Sequence, residues 1–442
     1  MMNWGNQNQK GMRRKIPSLE KTPLSRFHFV LLVVACLVYF FAAANTVLIA
    51  LALPELGKEF KFTSYELGWI VGLLYAGMFL GAFSCGRLSD LVGRKKVIAL
   101  TTTIHSIFTG FSIAVWDFAS LAILRVLAGF GLGGILPLPG VYISEYVPAK
   151  YRGRFLGLVE TSWVFGTLFA SALALLIMPG YGWRGYFLTA FVPLVSIPLT
   201  LFIPESVRYL EQKGRAEEAQ KILLRYGIRY IPFKKEAEKT CYRELFAPSY
   251  RSRTLLLWIL WAVLVYTYHG IFIWLKLFYV KTGLMAAHEA TSYYFLATFL
   301  GQIPGYLSAT FLLDVLGRKA VLGSYLALAG FGSLGFLLAQ DPLSILFWSC
   351  VIGFGNLGAW AGLYAYTPEL YPTRIRGTGA GVAASMGRVA GFLQGPLTGF
   401  ILVVASLSFA FIKFALLHWI AALVLILLGI ETKGRALEEI SR

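Results

Sequence analysis

The chain has 442 residues, 57% hydrophobic and only 14% charged, with a mean hydropathy of +0.67. Soluble domains carry about 25% charged residues, so this composition excludes a disordered chain, a disulfide-stapled secreted domain and a soluble enzyme. Lys and Arg number 40 against 22 Asp and Glu, a formal charge of +18, but they sit in the gaps between apolar runs, which sets nucleic acid aside.

A membrane helix needs roughly 20 apolar residues, and reading for such runs predicts an all-α membrane protein with twelve spans. Six precede residue 204: 29–53, 67–86, 97–116, 118–142, 153–177 and 184–203. Six follow it: 254–280, 290–313, 319–339, 344–366, 377–402 and 407–429. The polar residues 1–27, with six basic side chains, predict a cytoplasmic tail rather than a cleavable signal peptide. Residues 28–203 and 254–430 are then two six-helix bundles. They are joined by a basic linker, 204–253, with 12 Lys and Arg, and followed by a tail, 431–442.

Lys and Arg gather on the cytoplasmic side of membrane proteins. With the N-terminus inside, 32 basic residues fall in tails and inward loops. Four fall outside (Lys58, Lys61, Arg184, Lys281) and four within spans (Arg125, Lys276, Arg388, Lys413). That distribution predicts cytoplasmic termini. Cys36, Cys85 and Cys350 lie in or beside apolar runs and Cys241 in the linker; none has metal-ligand spacing. No phosphate-binding Gly-x-x-x-x-Gly-Lys-Ser/Thr loop is present, so ATP-driven pumping has no visible engine.

Two loops repeat between the halves. After span two the chain reads Gly86-Arg87-Leu88-Ser89-Asp90-Leu91-Val92-Gly93-Arg94-Lys95, and after span eight Asp314-Val315-Leu316-Gly317-Arg318-Lys319. After span four come Glu145-Tyr146-Val147-Pro148 and Tyr151-Arg152-Gly153; after span ten, Glu369-Leu370-Tyr371-Pro372 and Ile375-Arg376-Gly377. Two matches at equivalent positions indicate an internal duplication.

At these residues, over about 28–440, the chain resembles the major facilitator superfamily of secondary transporters. Leu91 replaces the usual basic residue of the first motif, and Thr310 stands where the second copy would have its glycine. Pro204-Glu205-Ser206-Val207-Arg208, Gly214-Arg215, Tyr366-Thr367-Pro368-Glu369 and Glu431-Thr432-Lys433-Gly434 look like the branch of sugar porters, organic ion transporters, synaptic-vesicle-like proteins and bacterial metabolite:proton symporters. Span seven lacks the Gln-Gln-x-x-Gly run of hexose porters. Span one has Ala42 and Asn45 where symporters of this type usually carry aspartate, and span five lacks the glycine–proline pattern of drug antiporters.

The resemblance implies a cytoplasmic gating network of Gly86, Asp90, Gly93, Arg94, Glu145, Arg152, Glu205, Asp314, Gly317, Arg318, Glu369, Arg376 and Glu431. A carboxylate bonded to arginine and a helix N-terminus is expected to latch the two bundles together, or simply to fix tight turns.

Ionisable groups inside spans are costly in lipid and usually mark function. Arg125 opens Arg125-x-x-x-Gly129-x-Gly131-x-Gly133-Gly134 on span four and matches an arginine of proton-coupled relatives; a coupling role and a structural ion pair both stay open. Glu160 is the one acid well inside a span, either a proton carrier or a partner of Arg152 or Arg154. Arg388 stands among small residues where organic anion transporters of the branch carry arginine and organic cation transporters aspartate, and a guanidinium grips a carboxylate with two bonds. Tyr268 and Trp274 of span seven are assigned to the cavity wall, with Gly270 and Gly283 as bending points. Lys276 is expected to snorkel to the interface, and Lys413, His418 and His105 to belong to the scaffold.

The expected function is alternating-access transport of a small organic anion across the plasma membrane, by a monomer without metal or cofactor. Coupling is expected to run by proton symport through Glu160 with Arg125 or Arg388, uniport being the alternative. A sugar or organic-cation carrier of the same fold, or a sensor that binds without flux, remain the alternatives for function.

Overall fold

The spans are apolar on nearly every side, so their ends are set by local chemistry rather than by an amphipathic pattern. The computed structural model describes residues 23–228, 242–372 and 375–433; Cys241, Thr373 and Gly434 lie outside them. The N-terminal half holds α1 (Arg26–Phe60), α2 (Ser64–Val92), α3 (Arg94–Ala114) and α4 (Phe118–Ser144). The apolar run Lys150–Phe202 that follows is broken at Gly182 (φ 64°, ψ −172°) into α5 (149–181) and α6 (183–202). The C-terminal half holds α7 (Arg251–Phe272), α8 (Ala287–Leu316), α9 (Arg318–Leu338), α10 (Pro342–Glu369), α11 (Arg376–Val404) and α12 (Leu407–Leu428). A turn at Ile273 and Trp274 separates α7 from its short continuation, Leu275–Lys281. A π turn, Thr298–Gln302, interrupts α8.

Side-chain caps start several of these helices by accepting the free N–H groups of a first turn. Thr63 caps α2, Asp117 caps α4, Asp341 caps α10 and Ser406 caps α12. Two glycines with positive φ make the abrupt α2–α3 and α8–α9 turns, Gly93 (112°) and Gly317 (97°); a side chain at such φ would be strained. The structure extends α1 two turns beyond the 29–53 read from hydropathy. Glu55, Lys58 and Glu59 end the apolar run without ending the helix.

The halves repeat the same pairings: α1 on α5 and α7 on α11, α2 on α4 and α8 on α10, α3 on α4 and α9 on α10. Small residues let the backbones approach closely. A Cβ on Gly77, Gly129 or Gly133 would strike a backbone carbonyl across the α2–α4 contact. A Cβ on Gly301 or Gly305 would strike Cys350 or Phe354 across α8–α10.

Contacts between the halves concentrate on the side away from the repeated loops. Gly68 and Gly72 of α2 lie against Gly395, Pro396 and Gly399 of α11. The continuation Leu275–Lys281 rests on α1, and α5 meets α8 through Ala287–Ala297 and the π turn. Towards the loops the helices part: a Cβ at Gly153 or Gly157 of α5, or at Gly377 or Gly381 of α11, would meet nothing within 4 Å. The molecule is therefore closed on one face and open towards the face that carries the motifs.

Substituting alanine for Gly133 is expected to lower the thermal unfolding midpoint in detergent, because overpacking a tight crossing costs about 1–3 kcal/mol. Gly157→Ala, in open space, should leave the midpoint unchanged or raise it. Equal effects of the two substitutions would contradict this packing account.

Candidate functional site

On the open face each half carries its own charge network. In the N-terminal half the Arg94 guanidinium bonds Asp90 (2.6 Å), Glu145 (3.3 Å) and the Ser89 carbonyl (3.0 Å). Glu205 caps α3 by accepting the backbone N–H groups of Arg94 (2.9 Å) and Lys95 (3.3 Å), and the Ser206 hydroxyl donates to Glu145. The C-terminal half repeats this. Arg318 bonds Asp314 (3.4 Å), Glu369 (3.1 Å) and the Leu313 carbonyl (3.1 Å). Glu431 accepts the N–H groups of Arg318 (2.9 Å) and Lys319 (3.1 Å), and Thr432 donates to Glu369 (2.5 Å). Arg152 and Arg376 donate to the carbonyls of Val147 and Tyr371 at equivalent places.

Burial pushes the Glu145 carboxyl up, against the opposing pull of Ser206 and Arg94. Burial would also raise Glu431, but four backbone N–H donors outweigh it and hold that carboxyl below its ordinary range.

The carboxylates that bond Arg94 and Arg318 lie in the same half as each arginine, so the networks fasten α2, α3 and α4, and likewise α8, α9 and α10, to one another. Gly93 and Gly317 lie directly against the Glu205 and Glu431 carboxylates, whereas Gly86 has no neighbour within 4 Å of a would-be Cβ. Tyr142 and Tyr366 are partners the sequence did not reveal. Their hydroxyls donate to the carbonyls of Pro204 (2.6 Å) and Ile430 (2.7 Å).

Between the halves lies a cavity of about 280 Å³. Tyr39, Tyr75, Glu160 and Trp163 line it from the N-terminal half, and Tyr268, His269, Tyr306, Trp360, Tyr364 and Arg388 from the other. Glu160 accepts a hydrogen bond from Tyr39 (2.7 Å), with Tyr364 as a second hydrogen-bonding neighbour. It has these tyrosines as partners rather than Arg152 or Arg154. Arg388 bonds only the Ala384 carbonyl, at 3.5 Å, and makes no ion pair among the described residues. At the closed end the Trp163 indole donates to Tyr268 (3.0 Å), whose hydroxyl reaches Gln302 (3.3 Å) on the π turn of α8. Aromatic walls, one uncompensated guanidinium and one carboxyl make a site suited to a flat, singly charged organic anion.

The Major Facilitator Superfamily model matches residues 35–393. The chain belongs to this superfamily. It is 37% identical over 437 residues to the niacin transporter NiaP of Acinetobacter baylyi, covering 96% of this chain and 99% of that protein. It is 35% identical over 412 residues to the putative niacin/nicotinamide transporter NiaP of Bacillus subtilis, covering 92% and 97%. Among solved structures it resembles the partially occluded, inward-open xylose transporter XylE of E. coli. That match has a TM-score of 0.76 at 18% identity, covering 93% of this chain and all of that one. The protein is thus a multi-pass membrane transporter of the major facilitator fold, with two six-helix bundles, and not an enzyme.

Two residues assigned to this transporter's cavity from sequence lie elsewhere. Arg125 is fully buried within the N-terminal half, donating to Ser112 (2.5 Å) and stacked over Phe187. Trp274 is fully buried at the turn after α7, stacked on Phe278. Arg125 stands on a helix that touches the cavity but on a face turned away from it, and Trp274 sits past the end of α7, at its turn. Asn45, at a position where related symporters carry an acid, bonds His105 (3.0 Å) and the Ala190 carbonyl (3.2 Å) instead. Lys413 bonds Tyr266 (2.9 Å), and His418 bonds the Phe414 carbonyl (2.7 Å), both as scaffold.

Lys276 does not snorkel. It is 1% exposed and crosses between the halves on the closed face to Glu55 (2.6 Å) and the Leu51 carbonyl (2.6 Å). Removing one partner of a buried pair costs about 3 kcal/mol because the other charge is stranded. Lys276→Gln is therefore expected to lower the unfolding midpoint and transport more than Lys276→Gln with Glu55→Gln. A double variant no better than the single would exclude this pair as a seal of the closed face.

Proposed function

We propose that this transporter carries a small aromatic carboxylate of the niacin type, by alternating access and in symport with a proton. The observation that carries the reading is Arg388, a guanidinium without an ion-pair partner among the described residues, in a wall otherwise built of Tyr and Trp. A carboxylate accepts two parallel N–H bonds from such a fork, and an aromatic ring packs between indole and phenol faces. The names of the relatives from Acinetobacter baylyi and Bacillus subtilis point to the same class.

The open face, which carries the repeated motif loops, is proposed to be cytoplasmic, in a plasma membrane, because 32 of the 40 basic residues fall in the tails, linker and loops that the sequence assigns to one side. In the rocking motion the halves move as units. The α2–α11 contact and the Lys276–Glu55 pair separate as the motif ends close. Glu160 is the proposed proton carrier, since it is the carboxyl of the cavity and tyrosine hydroxyls, not a permanent cation, surround it. A carboxyl without a fixed counter-charge can change protonation as the substrate comes and goes.

Uptake of labelled nicotinate into proteoliposomes with an imposed pH gradient tests the reading. Arg388→Lys should weaken substrate binding roughly 10-fold or more, because an ammonium cannot reproduce the two-bond fork. Glu160→Gln should keep counterflow exchange but lose pH-driven accumulation. Binding of organic cations with no binding of carboxylates would overturn the substrate class. Undiminished accumulation by Glu160→Gln would remove Glu160 from the coupling.

A further inference from the structure

Of the polar groups in the cavity, His269 has no role in the reading above, although its surroundings fix it tightly. Its Nδ1 lies 3.0 Å from the carbonyl of Val265, one turn back on α7. A carbonyl only accepts, so Nδ1 carries the proton of the neutral ring and Nε2 is left as a bare acceptor. The ring is held edge to face by Tyr75 (5.1 Å between centroids, 66°), Tyr268 (5.0 Å, 82°) and Trp163 (6.3 Å, 88°). It can neither rotate freely nor exchange its nitrogens. With Nδ1 committed to the helix, the edge left for the cavity is that of Nε2.

Position adds a second constraint. Gly387, beside Arg388, packs on Val265, whereas Gly391, one turn further along α11, packs on Tyr75, which holds the His269 ring. The imidazole therefore lies about one turn deeper than Arg388, towards the closed end. An aromatic carboxylate gripped at Arg388 would point its ring, not its charge, at this histidine.

We infer that His269 reads the ring of the substrate, and that it selects a ring nitrogen by sharing one proton with it. The inference rests on the carboxylate reading of Arg388. The nitrogen of a pyridine ring offers only a lone pair, as does Nε2 of the neutral imidazole. Two lone pairs repel, so the contact forms only when a proton lies between them. That proton comes from the solution on the open side. It protonates Nε2, which then donates to the ring nitrogen while Nδ1 keeps its bond to Val265. Each pyridine carboxylate thus enters with a proton at its ring end, and a carbocyclic carboxylate does not.

Other groups face the same space: Tyr75 from α2, Tyr268 from α7, Glu160 from α5, Tyr39 from α1, Tyr306 from α8, Tyr364 from α10 and Arg388 from α11. Arg388 opposes protonation of His269, and the bound carboxylate cancels that opposition. Any response of Glu160 to the incoming charge is shared by every carboxylate ligand. The ring nitrogen isolates the histidine.

The test is calorimetry of nicotinate and benzoate binding to the full-length protein, in buffers of differing ionisation enthalpy. It is run about one pH unit above the ordinary histidine value of about 6.5. Nicotinate is expected to take up about one proton more than benzoate, since an ordinary histidine is mostly neutral there. In His269→Gln, whose amide donates without a proton, nicotinate should bind within roughly 10-fold of wild type and the excess uptake should vanish. Equal uptake for the two ligands in wild type overturns the inference and leaves the carboxylate reading standing. So does excess uptake that survives in His269→Gln. Failure of both ligands to bind overturns both. Should the Gln variant not fold, the difference between ligands on the wild-type chain decides alone.

Discussion

A charge stranded in a low-dielectric interior costs several kcal/mol, and this one constraint orders the transporter from face to face. On the open face Arg94 and Arg318 are matched by carboxylates of their own halves, and the free N–H groups of α3 and α9 are closed by Glu205 and Glu431. On the closed face Lys276 and Glu55 neutralise one another across the halves. The cavity between holds two charges without a counter-charge among the described residues: Arg388, which makes no ion pair, and Glu160, which is held by tyrosine. The place where the molecule declines to compensate a charge is the place where a ligand of opposite sign gains most.

The same constraint separates what moves from what does not. Interactions inside a half are numerous, short and polar, and they repeat at an interval of 224 residues for Asp90, Gly93, Arg94, Glu145 and Arg152. Between the halves the closed face holds, among the described residues, glycine contacts, a few aromatic pairs and one ion pair. Interfaces built of glycine backbone against glycine backbone are close but contain few groups that must be desolvated or left unpaired when they part. A half fastened by its own salt bridges can rotate as a body, and the cost of parting falls mainly on Lys276 and Glu55.

Much of this architecture was legible in the sequence, and the limits are physical. The number of spans follows from the thickness of the bilayer, and the duplicated loops announce themselves because their glycines and charges have no substitute at those turns. What hydropathy cannot give is the rotation of a helix about its axis. In a span that is apolar on all sides, successive residues turn by about 100° without any change of pattern, so Arg125 and Trp274 read as cavity residues and are not. Glu160, Tyr268 and Arg388 carry the same kind of signal and do line the cavity. Lys276 misled for a related reason: its partner, Glu55, lies 221 positions away, and nothing local to Trp274-Leu275-Lys276 foretells it. Nor does the motif say which half supplies a partner: in this conformation Asp90 and Glu145 bond Arg94, and Asp314 and Glu369 bond Arg318, each within one half.

Of the aromatic residues around the site the sequence singled out Tyr268, whereas Trp163, Trp360 and Tyr364, which also surround it, carry no mark of their own that separates them from the rings of a membrane-interface belt. A retrospective signal exists. Trp163 stands three residues after Glu160, and Tyr364 four after Trp360, spacings that place each pair on one helix face. A wide ring beside a buried charge on the same face does two things at once. It excludes water, which strengthens the pull of the charge on a ligand, and it offers the ligand a flat surface that needs no hydrogen bond in return. In the proposed reading the guanidinium of Arg388 acts on the carboxylate alone, and the identity of the rest of the molecule is left to the rings and to the single nitrogen edge of His269.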